Sequence, residues 1–463
     1  MSVISALFDN KVYNFAQAFN VQDITSAAMK AAILDWFALY YGAKGKNVDE
    51  DPCQRLPVAV VTKLTKTTFS EYSATAAGSN PFVKAVLNAL DDVRKKAMHQ
   101  ALIGGECFLK PVFGQDQSVS FGVVSRQSFV VLGRNSRDEI TDIGTSERTM
   151  YADKHYTLLE RRSVDHAGYL TIQSKLYQSD SEQYLGTEVP LTTLEQYAAI
   201  PPVNRLPQPV GSIGMVPLRT PLENCVDGGP DAVSVYAPAV GLIHNINRNE
   251  AQLNAEFSNA ESRIIASADL FKWDGEGRKK LTDHVFTAVE EDPKDIGITI
   301  FSPAIREQSF LARKTEYLRN METLIGLKRG ILSEVEATER TATEVTSSAG
   351  DYNLTIIDFQ QMWEKAVRKA LRVCDILGKM YRVNSGGSVD PEKDVVIDWG
   401  NGILYDEEKE WSNYMGMVGA GMLKPEIALA WKFNLPWETP ADLQKIREKY
   451  MPELEQMTEG GDE

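Results

Sequence analysis

The sequence predicts an α+β protein, and two patterns carry that prediction. Several long runs place apolar residues at alternating gaps of three and four. The clearest is Ile356, Phe359, Trp363, Ala366, Ala370, Val373 and Leu377, the seam of a helix packed along one side. Between residues 106 and 190 the rhythm shortens instead. CFLKPVF, SVSFGVV, SFVVLG, HYTLLERRSV and YLTIQSKLYQ are β-rich runs parted by Gly, Asn, Asp and Ser, as in an antiparallel meander.

In chain order, residues 21–42 read as a helix with Ile24, Ala28, Ala31, Trp36 and Leu39 on one side and Gly42 at its end. The apolar run Leu56 to Leu64 fits a strand or a helix equally well. Asn80 caps the next helix and Pro81 occupies its first turn. Phe82, Val86, Leu90, Val93 and Ala97 follow, and Gly104 with Gly105 closes it. After the meander, residues 200–233 are rich in Pro and Gly and read as a connecting arm.

Two further helices flank a small insertion. The first runs from about Ala237 to Ile265, with Ala239, Ile243, Ile246, Leu253, Phe257, Ala260 and Ile264 in rhythm, broken by Glu250. Such a helix is roughly 40 Å long. The second runs from about Ser302 to Leu327, carrying Phe310, Tyr317, Leu318, Met321, Leu324 and Ile325. Between them, FKWDGEGRKK and ITIF predict a strand-containing tip on a two-helix stalk. Ser333 to Arg340 is small, acidic and too polar for a core, so a mobile loop is expected before the seam helix. Thr341 and Glu344 form a capping box at its start. VVIDWGNGIL (395–404) reads as a strand. From Tyr405 onward the chain is helical, with thirteen acidic against six basic residues, a net of −7. No repeat with a period of 20–50 residues is visible.

A length of 463 residues with a formal net charge of −15 allows two or three compact parts and a sizeable core. No signal peptide and no uninterrupted apolar stretch of about twenty residues is seen, so neither secretion nor a membrane span is expected. Cys53, Cys107, Cys225 and Cys374 lie too far apart for a disulfide framework or a zinc pair and read as reduced thiols of a cytosolic protein.

Catalytic signatures are absent: no P-loop, no H-E-x-x-H, no G-x-S-x-G and no Cys/His pair at ligand spacing. His99, His155, His166, His244 and His284 are scattered, and Gly419-Ala420-Gly421 reads as a turn. Asp406, Glu407 and Glu408 read as solvated helix surface rather than a Mg²⁺ site. Neither an enzyme nor a cofactor is expected.

Charge placement is more specific. An acidic chain is not a tight nucleic-acid binder, yet it can form a surface past which nucleic acid moves. Residues 301–330 are a basic island, with Arg306, Arg313, Lys314, Arg319, Lys328 and Arg329 against Glu307, Glu316 and Glu322. Its net charge is +3. The plainer reading is ordinary pairing along one helix.

The order of parts resembles the portal proteins of tailed double-stranded DNA phages, in particular the minor-capsid/portal branch of siphophages of Gram-positive hosts. The resemblance is carried by GGECFLKPVF (104–113), HYTLLERRS (155–163), YQSDSEQYLGTEVPL (177–191), VSVYAPAVGLIHNIN (233–247), TATEV (341–345) before a long helix, and YDEEKEW with GAGMLKPEIALAWKFNL (405–435). TATEV after two stalk helices is its most specific part. The acidic loop before TATEV and Trp399-Gly-Asn-Gly depart from the pattern.

The resemblance implies a portal fold. Residues 1–236 and 344–404 would form a wing of helices and antiparallel strands. Residues 237–264 and 301–330 would form a two-helix stem, 265–300 a small clip, 331–343 a tunnel loop and 405–463 a helical crown. It implies a cone-shaped homo-oligomeric ring, usually of twelve subunits, at the capsid vertex of the virion and assembled in the host cytoplasm. The ring would carry double-stranded DNA without regard to sequence during packaging, retention and ejection. Its partners would be the large terminase docking on the clip, the head-completion or adaptor proteins that replace it, and the major capsid and scaffolding proteins.

The channel-lining cations would be Arg306, Arg313, Lys314, Arg319, Lys328 and Arg329. The tunnel loop would present Ser333, Glu334, Val335, Glu336, Glu339 and Arg340. A polyanion slides only where contacts are weak, because each neutralised phosphate adds a salt-dependent term to affinity and a ring repeats every lysine. Sparse cations in an acidic chain suit that, and Glu334, Glu336 and Glu339 would keep a duplex centred. The competing reading from another class is a structural adaptor or scaffold whose stalk binds protein. An undetected hydrolase has little in its favour.

Overall fold

The computed structural model describes residues 14–42, 52–114, 116, 118–259, 263–266, 271–273, 279–281, 298–301, 304–333, 342–384, 387–400, 407–433, 435, 437 and 439–451. The chain divides into two units. One holds Met1–Thr68 with Ala74–Val396, the other Phe69–Ser73 with Ile397–Glu463.

In the larger unit, helix α1 (Ala27–Tyr41) starts where Ser26 Oγ accepts from the Met29 amide at 3.1 Å and stops at Gly42, whose φ is 79°. It is shorter than the predicted 21–42. Asp23 Oδ1 takes the Thr25 amide in a local turn, and the Ile24 amide goes to the Val131 carbonyl, so residues 21–25 cannot join the helix. The buried face is therefore Met29, Ile33, Trp36, Phe37 and Leu39, and not the one running through Ile24, Ala28 and Ala31.

The undecided run is helix α2 (Leu56–Thr68), with Val60, Val61, Leu64 and Thr68 buried at helical spacing. Strand β1 (Ser73–Ala76) precedes α3 (Pro81–Gly104), which is capped by Asn80 Oδ1 accepting from the Phe82 amide at 3.0 Å. Gly105 ends α3 at φ 82°, and a Cβ there would sit 2.4 Å from the Ala232 carbonyl oxygen. Only glycine tolerates both conditions.

The β-rich stretch forms two sheets rather than one meander. Strands β2 (Glu106–Phe113) and β3 (Val119–Val124) make a hairpin. A short helical turn, Arg126–Ser128, then redirects the chain into β4 (Phe129–Arg134), β5 (Ile140–Tyr151), β6 (Lys154–Val164), β7 (Tyr169–Ser179) and β8 (Thr187–Val189), each antiparallel to the last. The β5–β6 turn is Ala152-Asp153, both at positive φ (48° and 57°), the two-residue geometry that matches strand twist. The predicted arm is a correction too. Residues 203–219 supply β9 (Val203–Pro209), which continues along the edge of β7, and β10 (Val216–Arg219), which pairs with β2. Both take edge positions, the places where a sheet tolerates Pro207, Pro209 and Pro217.

Phe108, Phe129, Val131, Ile143, Ile213 and Met215 pack together across the two sheets. Arg126 is buried with its guanidinium over the Phe129 ring at 4.6 Å and donates to Thr25 Oγ1. Glu160 on β6 is buried between Arg162 (Nε to Oε1, 2.6 Å) and Lys110 on β2 (Nζ to Oε1, 3.0 Å). Burial alone would raise the Glu160 carboxyl, but the two cations outweigh it and bring it down to about 2.

The chain continues through α4 (Val240–Asn259), β11 (Arg263–Ala266), β12 (Phe271–Trp273), β13 (Lys279–Leu281), β14 (Ile298–Phe301) and α5 (Glu307–Ile325) to α6 (Ala342–Met380). All seven predicted seam residues of α6, from Ile356 to Leu377, are buried. Their neighbours are β10, α2 and α3, so the seam faces a strand as well as helices. The unit's last residues, Val395 and Val396, are the first two of strand β15 (Val395–Asp398).

In the smaller unit, α7 (Glu407–Gly419), α8 (Pro425–Lys432) and α9 (Pro440–Tyr450) are held by stacked ring pairs, Tyr414 on Trp431 and Phe433 on Tyr450, both at 4.9 Å. Trp399 packs against Phe69 and Tyr72. All four cysteines are free, with Cys107 and Cys374 buried.

Candidate functional site

Helices α4 and α5 run antiparallel. Asn249 Nδ2 donates to the Phe310 carbonyl at 3.1 Å, Lys314 Nζ to Glu250 Oε2 at 2.9 Å, and Arg306 to both carboxylate oxygens of Glu256 at 3.0 and 2.8 Å. Glu256 also accepts the Arg306 backbone amide, so it holds the start of α5 from the neighbouring helix. The same pairing continues beyond the helices. Arg263 lies opposite Phe301 and Ile264 opposite Ile300 in the β11–β14 ladder, and β12 and β13 form a second antiparallel pair beyond it.

The helices are shorter than predicted. The twenty residues of α4 span about 30 Å rather than 40 Å. Ala237–Ala239 is a separate turn holding Pro238, and Ile264 belongs to a strand. Glu250, read as a break in the rhythm, is the acceptor for Lys314.

Helix α5 ends in a glycine cap. Gly326 lies at φ 75°, its amide reaches the Thr323 carbonyl, and the Leu327 amide reaches the Glu322 carbonyl at 2.8 Å. These two bonds satisfy carbonyls that a helix end otherwise leaves open. Lys328 and Arg329 thus sit in a turn past the helix and not on it. The Glu322 side chain is fully buried beneath that turn. Its Oε1 accepts from the amides of Gly330 (3.2 Å), Leu332 (2.6 Å) and Ser333 (2.9 Å), and its Oε2 accepts from Ser333 Oγ at 2.7 Å.

The predicted cations occupy different settings. Arg306 is exposed but held by Glu256, with its guanidinium 5.9 Å from the Phe310 ring. Arg313 is exposed, 4.5 Å from the Tyr317 ring centroid, with Glu316 one turn on at 3.0 Å. Lys314 is half-buried between Glu250 and Gln54. Arg319 and Lys328 are half-buried, and Arg329 is exposed. Ser333 is buried. Glu334, Val335, Glu336, Glu339, Arg340 and Thr341 lie outside the described residues, as does the side chain of Glu344.

Sequence reasoning missed the structural role of Glu322, which it counted only as a charge. Its partners are mostly backbone amides, which leave no mark in the sequence; Gly326, Gly330 and Ser333 at fixed offsets were the available signal. Among the described residues, no group of three or more His, Cys, Asp or Glu side chains could hold a metal ion, and no helix is long and apolar enough to cross a membrane.

Residues 82–453 match the family described as phage portal protein, SPP1 Gp6-like. The chain belongs to that family. No curated protein matches the chain. Among solved structures, one titled as the neck of a native GTA particle computed with C12 symmetry matches at 12% identity and a TM-score of 0.35, over 81% of this chain and 93% of that one. The mixed helices and antiparallel sheets of this portal protein agree with the α+β class read from its sequence.

Proposed function

We propose that copies of this portal protein close into a dodecameric ring at the capsid vertex, around a channel through which duplex DNA passes. Family membership over residues 82–453 is the observation that carries the reading. The ring is a structural part and not an enzyme, and ATP hydrolysis belongs to the large terminase that docks on it. Head-completion proteins later take the terminase's place, and capsid and scaffolding proteins meet the outer surface. Residues 1–236 and 344–404 serve as the wing, 237–264 and 301–330 as the stem, 265–300 as the clip, 331–343 as the tunnel loop and 405–463 as the crown.

Electrostatics support low-friction passage. Arg306 and Lys314 are already paired within the subunit. Of the six stem cations, Arg313 and Arg329 are the exposed ones without an interhelical carboxylate partner among the described contacts, and they are the residues proposed to meet phosphate. A ring lined this way attracts DNA through few, repeated, salt-sensitive contacts. Glu334, Glu336 and Glu339 in the tunnel loop repel the backbone and centre the duplex. Deleting residues 334–339 tests the loop: rings should still assemble, while packaging or retention of DNA falls. Normal packaging by that variant would refute the loop's role.

A further inference from the structure

We propose that Glu322 is the positioning residue for the segment leaving α5: its carboxylate holds Gly330–Ser333 on the helix, so that the cationic turn and the chain beyond Ser333 start from a fixed point. The proposal rests on the reading of residues 331–343 as the loop that narrows a channel.

A carboxylate offers about four acceptor positions. Here three backbone amides and one hydroxyl approach its two oxygens, with no part of the side chain exposed. The amides of Gly330, Leu332 and Ser333 converge on a single oxygen, which requires the backbone to curl around it. Gly330 makes the bend at φ 92°, and the Ile331 amide returns to the Lys328 carbonyl at 3.2 Å. Lys328 and Arg329 immediately precede the clamped residues, and the Lys328 carbonyl takes part in the bend, so the clamp also fixes the backbone that carries those two cations.

The far side of the turn is constrained as well. A Cβ on Gly326 would lie 2.5 Å from Thr355 Oγ1 on α6, so the turn rests directly against the next helix. Residues 326–333 are therefore held between a buried carboxylate on α5 and the side of α6. A chain end pinned at four donors transmits any shift of α5 to the segment that follows. An ordinary connector would absorb that shift.

The test uses assembled rings of the full chain. In E322A, amide exchange at Leu332 and Ser333 should rise roughly a hundredfold, the loss of about two charge-assisted hydrogen bonds, with exchange in α4 and early α5 unchanged. E322Q keeps one acceptor oxygen and should show roughly a tenfold rise. Packaged DNA per particle should fall in the same order, wild type above E322Q above E322A, at equal ring yield. Should E322A fail to form rings, E322Q and S333A, each read by exchange and by packaging, decide in its place. Unchanged exchange at Leu332 and Ser333 would overturn the clamp itself. Raised exchange with normal packaging would overturn its positioning role. The deletion of 334–339 separates both outcomes from failure of the loop reading, because it leaves Glu322 and Ser333 in place.

Discussion

Replacing Lys314 and Arg313 one at a time separates the stem's structural cations from those available to DNA. Lys314→Ala removes a 2.9 Å bond to Glu250 and a 3.3 Å bond to Gln54. The side chains of Lys314 and Glu250 are only 26% and 20% exposed, so the carboxylate left behind is partly desolvated. Losing such a partner costs about 1–3 kcal/mol, far short of a fully buried pair. In a domain of this size each kcal/mol lowers Tm by about 2 °C.

Arg313→Ala is different. Arg313 and Glu316 are 54% and 59% exposed, so their pairing contributes little. The contact with the Tyr317 ring is likewise open to solvent and contributes little to stability. Its effect should appear in DNA association instead, where each lost phosphate contact lowers the slope of log K against log[salt] by about 0.9. Thermal unfolding and salt-titrated DNA binding of the assembled rings read the two effects. Lys314→Ala should lower Tm and leave the slope alone; Arg313→Ala should do the reverse. An unchanged Tm with a reduced slope for Lys314→Ala would refute this division.

The Glu160 cluster makes stability depend on pH. Its carboxyl titrates at about 2 in the fold, below the ordinary 4.5, so the unfolded chain binds the extra proton between those values. The contribution, about 3 kcal/mol, is present in full above pH 4.5 and is lost as pH falls toward 2. Chemical denaturation at pH 7 and pH 3 should show E160Q less stable than wild type at the first and closer to it at the second; a constant difference would contradict the cluster's role. Gly105→Ala meets the Ala232 carbonyl in a left-handed conformation. It should destabilise the larger unit by about 2 kcal/mol or more, measured by the same denaturation; a neutral effect would show that the helix end shifts freely.

Much of the helical framework was legible in the sequence. The α6 seam follows from periodicity, because every residue from Ile356 to Leu377 in that series faces packed neighbours. Asn80 with Pro81 marked a helix start through local chemistry, and the structure uses the same bond. Leu56–Leu64 was undecidable because a short apolar run fits both periods, and burial of Val60, Val61, Leu64 and Thr68 settles it as helix. Residues 203–219 escaped because prolines masked two edge strands whose partners are distant in sequence. At the site, the cations were visible but not their partners. Lys314 meets a residue 64 positions away, and Glu322 binds amides that carry no residue-specific signal.

Cryo-electron microscopy of the purified full-length protein tests the channel most directly. The predicted result is a closed ring with radial symmetry and an axial hole that admits a duplex, with Arg313 and Arg329 turned toward the axis. A compact monomer, or a ring in which Arg313 faces outward and residues 331–343 are sealed away from the axis, would contradict it.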